Sequence, residues 1–361
     1  ALSSDTKGDN SVAIGENALL TQNFTSSTDS YNTAVGSNAG RAVTTGVKNT
    51  FLGGLAGDAT TDADENVAIG YDSLGTNILG GASVAVGASA LRTQNPASAV
   101  TMYNTAVGHF AGYAVTTGVQ NTLIGGNAAD SLTTGAYNTA VGYQALQNED
   151  ATSANTALGF KALYSMDGGL AGNTAVGAEA GFSLTNASGV VAIGYQASYS
   201  GAGADGVTAV GYGAGKFQTT AGYSTFVGYQ AGQGITGAKL TGNNNTAVGK
   251  DAGLLLQGAA TNNTLIGATS GDSITTGTAN TALGGSALTG VNTGINNVGL
   301  GEGAGYNITS GDSNIIIGKD ITAASATADN QLNIGGWIVG ATGQITKPYQ
   351  PAFSVTVAAE Q

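Results

Sequence analysis

"YNTAVGYQAL", residues Tyr137 to Leu146, is the stretch whose reading decides the fold, because the chain keeps repeating it. "YNTAVGSNAG" begins at Tyr31, "YNTAVGHFAG" at Tyr103, "NTALGFKAL" at Asn155 and "NTAVGAEAG" at Asn173. Anchored on the glycine that closes each pentamer, 19 copies run from Gly15 to Gly335. Thirteen of the 18 intervals are 17 residues, two are 18 and three are 21. A period this tight across a 361-residue chain marks a repeat architecture.

Each repeat position has a physical reading. The pentamer alternates, so the residues one and three before the anchor share a face. The residue just before the anchor is aliphatic in all 19 copies. This row, with Ile14, Val35, Ile69, Val107, Val141, Val176, Val210, Val248 and Ile317, is expected to fill the interior of a coil. The residue two before the anchor points the opposite way and is usually small, as at Ala34, Ala106, Ala140, Ala175 and Ala209, with Phe51, Leu123, Phe226 and Leu265 as larger exceptions. That small row is expected to let another chain approach closely. The anchor, as at Gly36, Gly108, Gly142 and Gly177, suits positive φ or a close backbone contact. Four before the anchor stands Asn in 13 of 19 copies, among them Asn32, Asn104, Asn138, Asn173 and Asn280. Asn tolerates left-handed backbone, and stacked Asn side chains can hydrogen-bond as a ladder.

One such coil cannot stand alone. Burying a Val or Ile contributes roughly 1.5–3 kcal/mol, whereas ordering a coil costs roughly 1–2 kcal/mol per residue in backbone entropy. Stacked coils share a continuous core and close that gap. The expected fold is therefore all-β: a parallel β-solenoid, a β-roll, of about 19 coils with a period near 17 residues. Each coil is expected to hold a short strand, a tight turn, a second short strand and a return loop. At about 4.8 Å per coil the stack would span roughly 90 Å. Residues 1–10 read as a lead-in, 11–340 as the solenoid shaft and 341–361 as an exit segment. The three 21-residue intervals predict longer loops recurring on one edge, and "SVAIGENALLTQ" at Ser11 returns 72 residues later as "SVAVGASALRTQ" at Ser83.

Composition narrows the function classes. The 60 glycines and the lack of a 3.6-residue pattern argue against helix. A net charge of −12 with ten scattered basic residues disfavours nucleic acid, which needs clustered Lys and Arg. No apolar run reaches the roughly 18 residues of a membrane span. Cysteine is absent, which excludes disulfides, thiolate metal sites and Cys nucleophiles. The opening "ALSSDTKGDN" reads as a fragment or a processed product.

The search for chemistry assigns no catalytic, cofactor-binding or metal-binding residue, and the chain is read as a non-enzyme. The single histidine, His109, sits just after an anchor, where other copies carry Tyr71, Tyr143, Tyr195, Tyr212, Tyr229 or Lys250. A lone His without Cys rules out Cys/His and His-cluster metal sites and argues against a Ser/His/Asp triad. Acidic residues gather at Asp58, Asp62, Asp64 and Glu65, and at Glu149 and Asp150, and are read as solvated loop charge, with calcium as the alternative at the first group. "GLGEGAG" at Gly299 is one more copy in register and not a phosphate loop. "TTG" at Thr44, Thr116, Thr133 and Thr275 is too irregular for an ice-binding array.

The pentamers "SVAIG", "NTAVG" and "NVAIG", each followed by a small residue three positions on, resemble the YadA-like head repeat of trimeric autotransporter adhesins, which also occurs in phage tail fibres. The resemblance covers about residues 11–340. It implies a left-handed parallel β-roll packed side by side as a homotrimer. Near the C-terminus "NIIIGKDI" at Asn314 and "NQLNIGGWIVGATGQI" at Asn330 depart from the repeat, and "KPYQPAFSV" at Lys347 is similar to the entry of a phage-fibre knob. The expected function is the shaft of an extracellular attachment fibre of a phage or prophage tail, positioning a receptor-binding tip. A bacterial trimeric surface adhesin that binds matrix or cells through the solenoid is the alternative, and a polysaccharide-degrading tailspike the lesser one. The implied partners are a host receptor or glycan and other virion or surface-anchoring proteins, at the virion tail or bacterial cell surface.

Overall fold

A computed structural model describes residues 1–167, 171–341 and 344–346. All regular structure in those residues is β. The knob-like "PAFSV" at 351–355 lies outside the described residues. The chain forms a parallel β-solenoid of 19 turns, divided into two compact units, Ala1–Tyr212 and Gly213–Gln361. In the first unit, twelve three-residue strands from Val12–Ile14 to Thr208–Val210 stack parallel and in register. Thr139, Ala140 and Val141, for example, pair with Thr156, Ala157 and Leu158. The second unit stacks Thr225–Val227 through Ile315–Ile317 in the same way, adds Gln331–Ile334, and turns antiparallel through Ile338–Ala341 and Gln344–Thr346.

The expected second strand of each coil does not form. After the anchor Gly142, Gln144 and Leu146 take φ of +57° and +54°, and such left-handed residues break an extended run. The backbone still bonds from coil to coil: Gln144 N–H donates to the Gly126 carbonyl at 3.0 Å and Leu146 N–H to the Ala162 carbonyl at 2.9 Å. The left-handed residue ahead of the strand is Tyr137, at +62°, and not the Asn that follows it. Two of the 21-residue intervals add small parallel pairs, Gly8–Asp9 with Thr28–Asp29 and Gly80–Gly81 with Val100–Thr101.

The anchor glycines do two jobs. Gly36, Gly108, Gly142 and Gly177 have φ between +127° and +143°, a region that side chains rarely adopt. A Cβ on Gly36 would also stand 2.5 Å from the carbonyl oxygen of Gly53, the next anchor. No side chain fits between successive coils here.

The two faces of the strand are the reverse of the expectation. Ala34, Ala106, Ala140, Ala175 and Ala209 are fully buried inside the coil. The aliphatic row faces outward. Ile14 is 60% exposed and Val107 37%, while Val35, Ile69, Val141, Val176, Val210, Val248 and Ile317 are half-buried. The physical reason is a narrow interior. The turn segment already sends in Ala145 and Leu146, both fully buried, which leaves the strand room for a small side chain only. Large strand centres confirm the rule by exchange of volume. Phe51 lies against Gly40, where a Cβ would come within 2.6 Å of its ring. Phe226 lies likewise against Gly215 at 2.8 Å, and Leu123 against Gly112 at 2.5 Å. Where the turn residue is Leu, as at Leu146 or Leu288, the preceding or following strand centre is Ala140 or Gly299.

The Asn row runs through the interior as a ladder. Asn138 Oδ1 accepts from Asn155 N–H at 2.9 Å, and Asn138 N–H donates to Asn121 Oδ1 at 2.9 Å. Asn138 Nδ2 donates to the Thr152 carbonyl at 2.9 Å. The same rungs recur at Asn32, Asn104, Asn173 and Asn280. Each amide thus satisfies a buried backbone N–H and a carbonyl that no sheet partner reaches. Ser83 interrupts the row, and Gln94 fills in, accepting from Ser83 Oγ at 3.2 Å and Asn104 Nδ2 at 2.9 Å. Gln22 takes the same place beside Ser11 and Asn32, donating its Nε2 to Ser11 Oγ at 3.2 Å and accepting from Asn32 Nδ2 at 2.9 Å, which gives the 72-residue echo a structural meaning.

Two substitutions test this core. Gly36→Ala is expected to lower stability by about 1–3 kcal/mol through backbone strain alone, and more through the clash with Gly53. Asn138→Ala strands the Asn155 N–H and is expected to cost about 1–3 kcal/mol. Thermal unfolding measures both, and an unchanged midpoint would remove the constraint from that position.

Candidate interaction surfaces

The strands position one continuous apolar face in each unit. Because successive side chains alternate, the central residue points in and its two neighbours point out. The outward pair is Thr or Val on one side and Val, Ile or Leu on the other from Val12–Ile14 to Val298–Leu300, with Ile315 and Leu332 on the first side in the last two parallel strands. Leu52, Ile124, Leu158, Ile193, Ile266, Leu283 and Leu300 are exposed along this row. Contiguous apolar surface on this scale marks an interaction site in a folded protein.

Aromatic residues form two further rows. The position after the anchor places Tyr71, Tyr143, Tyr195, Tyr212 and Tyr229 at the surface. Tyr143 stacks on Phe160 with centroids 6.0 Å apart, and Tyr195 on Tyr212 at 5.2 Å. A second row, five after the anchor, escaped the sequence reading. There Tyr164, Phe182 and Tyr199 stack at 5.0 Å with planes within 8°. Their spacings of 18 and 17 residues were the available signal. Lys161 Nζ lies 5.1 Å from the Tyr164 ring and 5.3 Å from Phe160. Burial raises the Tyr199 phenol above its ordinary value, with Glu179 and Tyr195 adding to the shift. His109 is exposed, its ring 4.0 Å from Phe110.

The acidic residues do not converge. Asp62 accepts from the hydroxyls of Thr44 at 2.6 Å and Thr45 at 2.8 Å. Asp64 accepts from Val47 N–H at 2.7 Å, and Glu65 pairs with Lys48 at 3.1 Å. Asp58 faces Arg41 at 3.8 Å, and burial, opposed by that guanidinium, holds its carboxyl above the ordinary value. Each carboxylate thus engages the coil before its own. Among the described residues no three acidic or histidine side chains form a group that could hold a metal ion. Glu149 corrects the solvated-charge reading. It is fully buried, and its Oε1 accepts from the N–H groups of Ala151 at 2.9 Å and Thr152 at 2.6 Å, while Asp150 is exposed. Gly299 is the centre of a strand and Gly301 an anchor at φ +125°, so the glycine cluster there is ordinary coil.

No protein-family model matches the chain, and no curated protein matches it.

The Asp62 geometry makes a pH prediction. The Thr44 hydroxyl, then that of Thr45, hold its carboxyl below the ordinary carboxylate value, against a smaller opposing effect of burial. A lowered folded pKa contributes stability above the unfolded pKa and loses it as pH falls through the folded one. Asp62→Asn is therefore expected to lower the unfolding temperature at pH 7, with a gap from the parent chain that narrows at pH 3. An equal gap at both pH values would show that the ionised carboxylate is not what stabilises this contact.

Proposed function

We propose that the chain is the shaft segment of a homotrimeric extracellular attachment fibre, of the kind found in phage or prophage tails, which positions a receptor-binding tip. The observation that carries the reading is the outward aliphatic row. A folding chain that keeps Ala inside and sets Val, Ile and Leu outside, coil after coil, leaves its best apolar surface for a partner. A strip only two side chains wide suits assembly about an axis, where each copy covers part of two others. The self-same repeat in every copy makes the matching surface another copy of this chain. The resemblance of the pentamers to YadA-like head repeats supports three copies. A surface adhesin that binds through the solenoid would use the same assembly and differ in where its ligand sits.

Light scattering with sedimentation velocity tests the proposal. A particle of about three times the 35.1 kDa chain mass with a high frictional ratio is the expected result. Val107→Asp combined with Val141→Asp is expected to give folded monomers with the β spectrum retained, because both side chains face outward. A monomeric parent chain would overturn the assembly and the fibre reading with it. Incubation with bacterial surface polysaccharide is expected to release no reducing ends, and steady release would turn the assignment to a tailspike.

A further inference from the structure

The aromatic row five after the anchor has a gap. It carries Tyr113, then Asp130 and Gln147, then resumes with the stacked Tyr164, Phe182 and Tyr199. Three strand spacings, about 14 Å, separate the rungs of Tyr113 and Tyr164. The two shorter side chains leave an open groove of about 570 Å³, lined by Phe110, Tyr113 and Ala114 of one coil, Asn127, Asp130 and Ser131 of the next, and Gln147 of the third. That volume falls in the range of small-molecule sites. None of these residues belongs to the outward aliphatic row.

The groove is more apolar than polar, with the polar groups gathered on one side. Phe110 and Tyr113 meet edge to face, with centroids 5.1 Å apart and planes at 79°. Arg92, itself paired with Asp72, lies 5.8 Å from the Tyr113 ring and donates to its hydroxyl at 3.3 Å. These contacts hold Tyr113 in place. Beside the rings stands the Asp130 carboxylate. It accepts from Asn127 Nδ2 at 2.8 Å, Gln147 Nε2 at 3.1 Å and Ser131 Oγ at 3.3 Å. All of these partners are neutral, and no Lys or Arg lines the groove. An ionised carboxylate has about four acceptor positions, so one remains for a ligand. Gln147 Oε1 is enclosed and accepts no hydrogen bond, so the network is short of a donor.

We infer that this groove is a binding site for a neutral pyranose unit of a glycan. Such a ring offers what the groove lacks: C–H groups for the aromatic wall and a hydroxyl donor for Asp130. The single carboxylate gives a divalent cation too few oxygen ligands. The uncompensated carboxylate and the net charge of −12 disfavour sialylated, sulfated or phosphorylated sugars. The site lies on the side of the solenoid, so it goes beyond a shaft that only positions a tip.

The test uses the full chain and a panel of immobilised oligosaccharides of glucose, galactose, mannose and N-acetylglucosamine, with sialylated and sulfated counterparts. Binding to at least one neutral member is expected, weakened at least tenfold by Tyr113→Ala and by Asp130→Asn, and retained by Tyr113→Phe. Unfolding midpoints of all three variants are measured alongside. Asp130→Asn keeps the side-chain volume and an acceptor, so it reports on the site even where the larger deletion disturbs the coil. No neutral binding, binding to charged glycans alone, or binding indifferent to both variants would overturn the proposal. The particle mass is read on the same sample. A trimer without sugar binding defeats this site alone, and a sugar-binding monomer defeats the fibre reading alone.

Discussion

Everything in this fold depends on how closely one coil can lie on the next. At anchors such as Gly15, Gly36, Gly142 and Gly284 the backbone of successive coils touches so tightly that even a methyl group has no room. That contact fixes the coil spacing at the strand separation and lets the three-residue strands pair in register. It also lines up the Asn amides, whose reach spans one coil and no more. Glycine at the anchor and Asn four residues earlier are two halves of one constraint. The first permits the approach, and the second satisfies the backbone groups that the approach buries.

A thin coil has a consequence for where hydrophobic side chains go. With the turn contributing Ala145 and Leu146, the strand can contribute only Ala140. The interior works as a fixed volume shared between strand and turn, so Phe51 requires Gly40 and Leu288 requires Gly299. The larger aliphatic residues are displaced to the surface, where the proposed assembly would bury them. This links the packing of one coil to the proposed quaternary state more directly than any loop does.

Much of this was legible in the sequence. The period, the parallel stacking, the anchor glycines and the Asn row all follow from residue spacing. The two faces of the strand were also visible as an alternation, but their assignment was inverted. Alternation says that Ala140 and Val141 face opposite ways and nothing about which way is in. Hydrophobicity alone favours Val141, and the narrowness of the coil, a property of the whole turn, decides for Ala140. The second strand failed for a related reason, since Gln144 and Leu146 carry no sequence mark of left-handed backbone. The lateral groove was hidden because it is made by two residues that break an aromatic row, and the row itself emerges only when 17- and 18-residue spacings are aligned.

The irregular coils also solve a problem that regular ones create. A chain of nearly identical turns can stack one repeat out of step and still form most of its hydrogen bonds, so the native arrangement competes with slipped ones of similar energy. Identity of repeats makes each rung strong and the count ambiguous. The 21-residue coils, the Gln22 and Gln94 substitutes for missing Asn rungs, and the paired bulk of Phe51 with Gly40 do not transfer to a neighbouring turn. A slip by one coil would place Phe51 opposite a Leu. These departures from the repeat act as index marks along the stack, and they give a periodic molecule a single way to be wound.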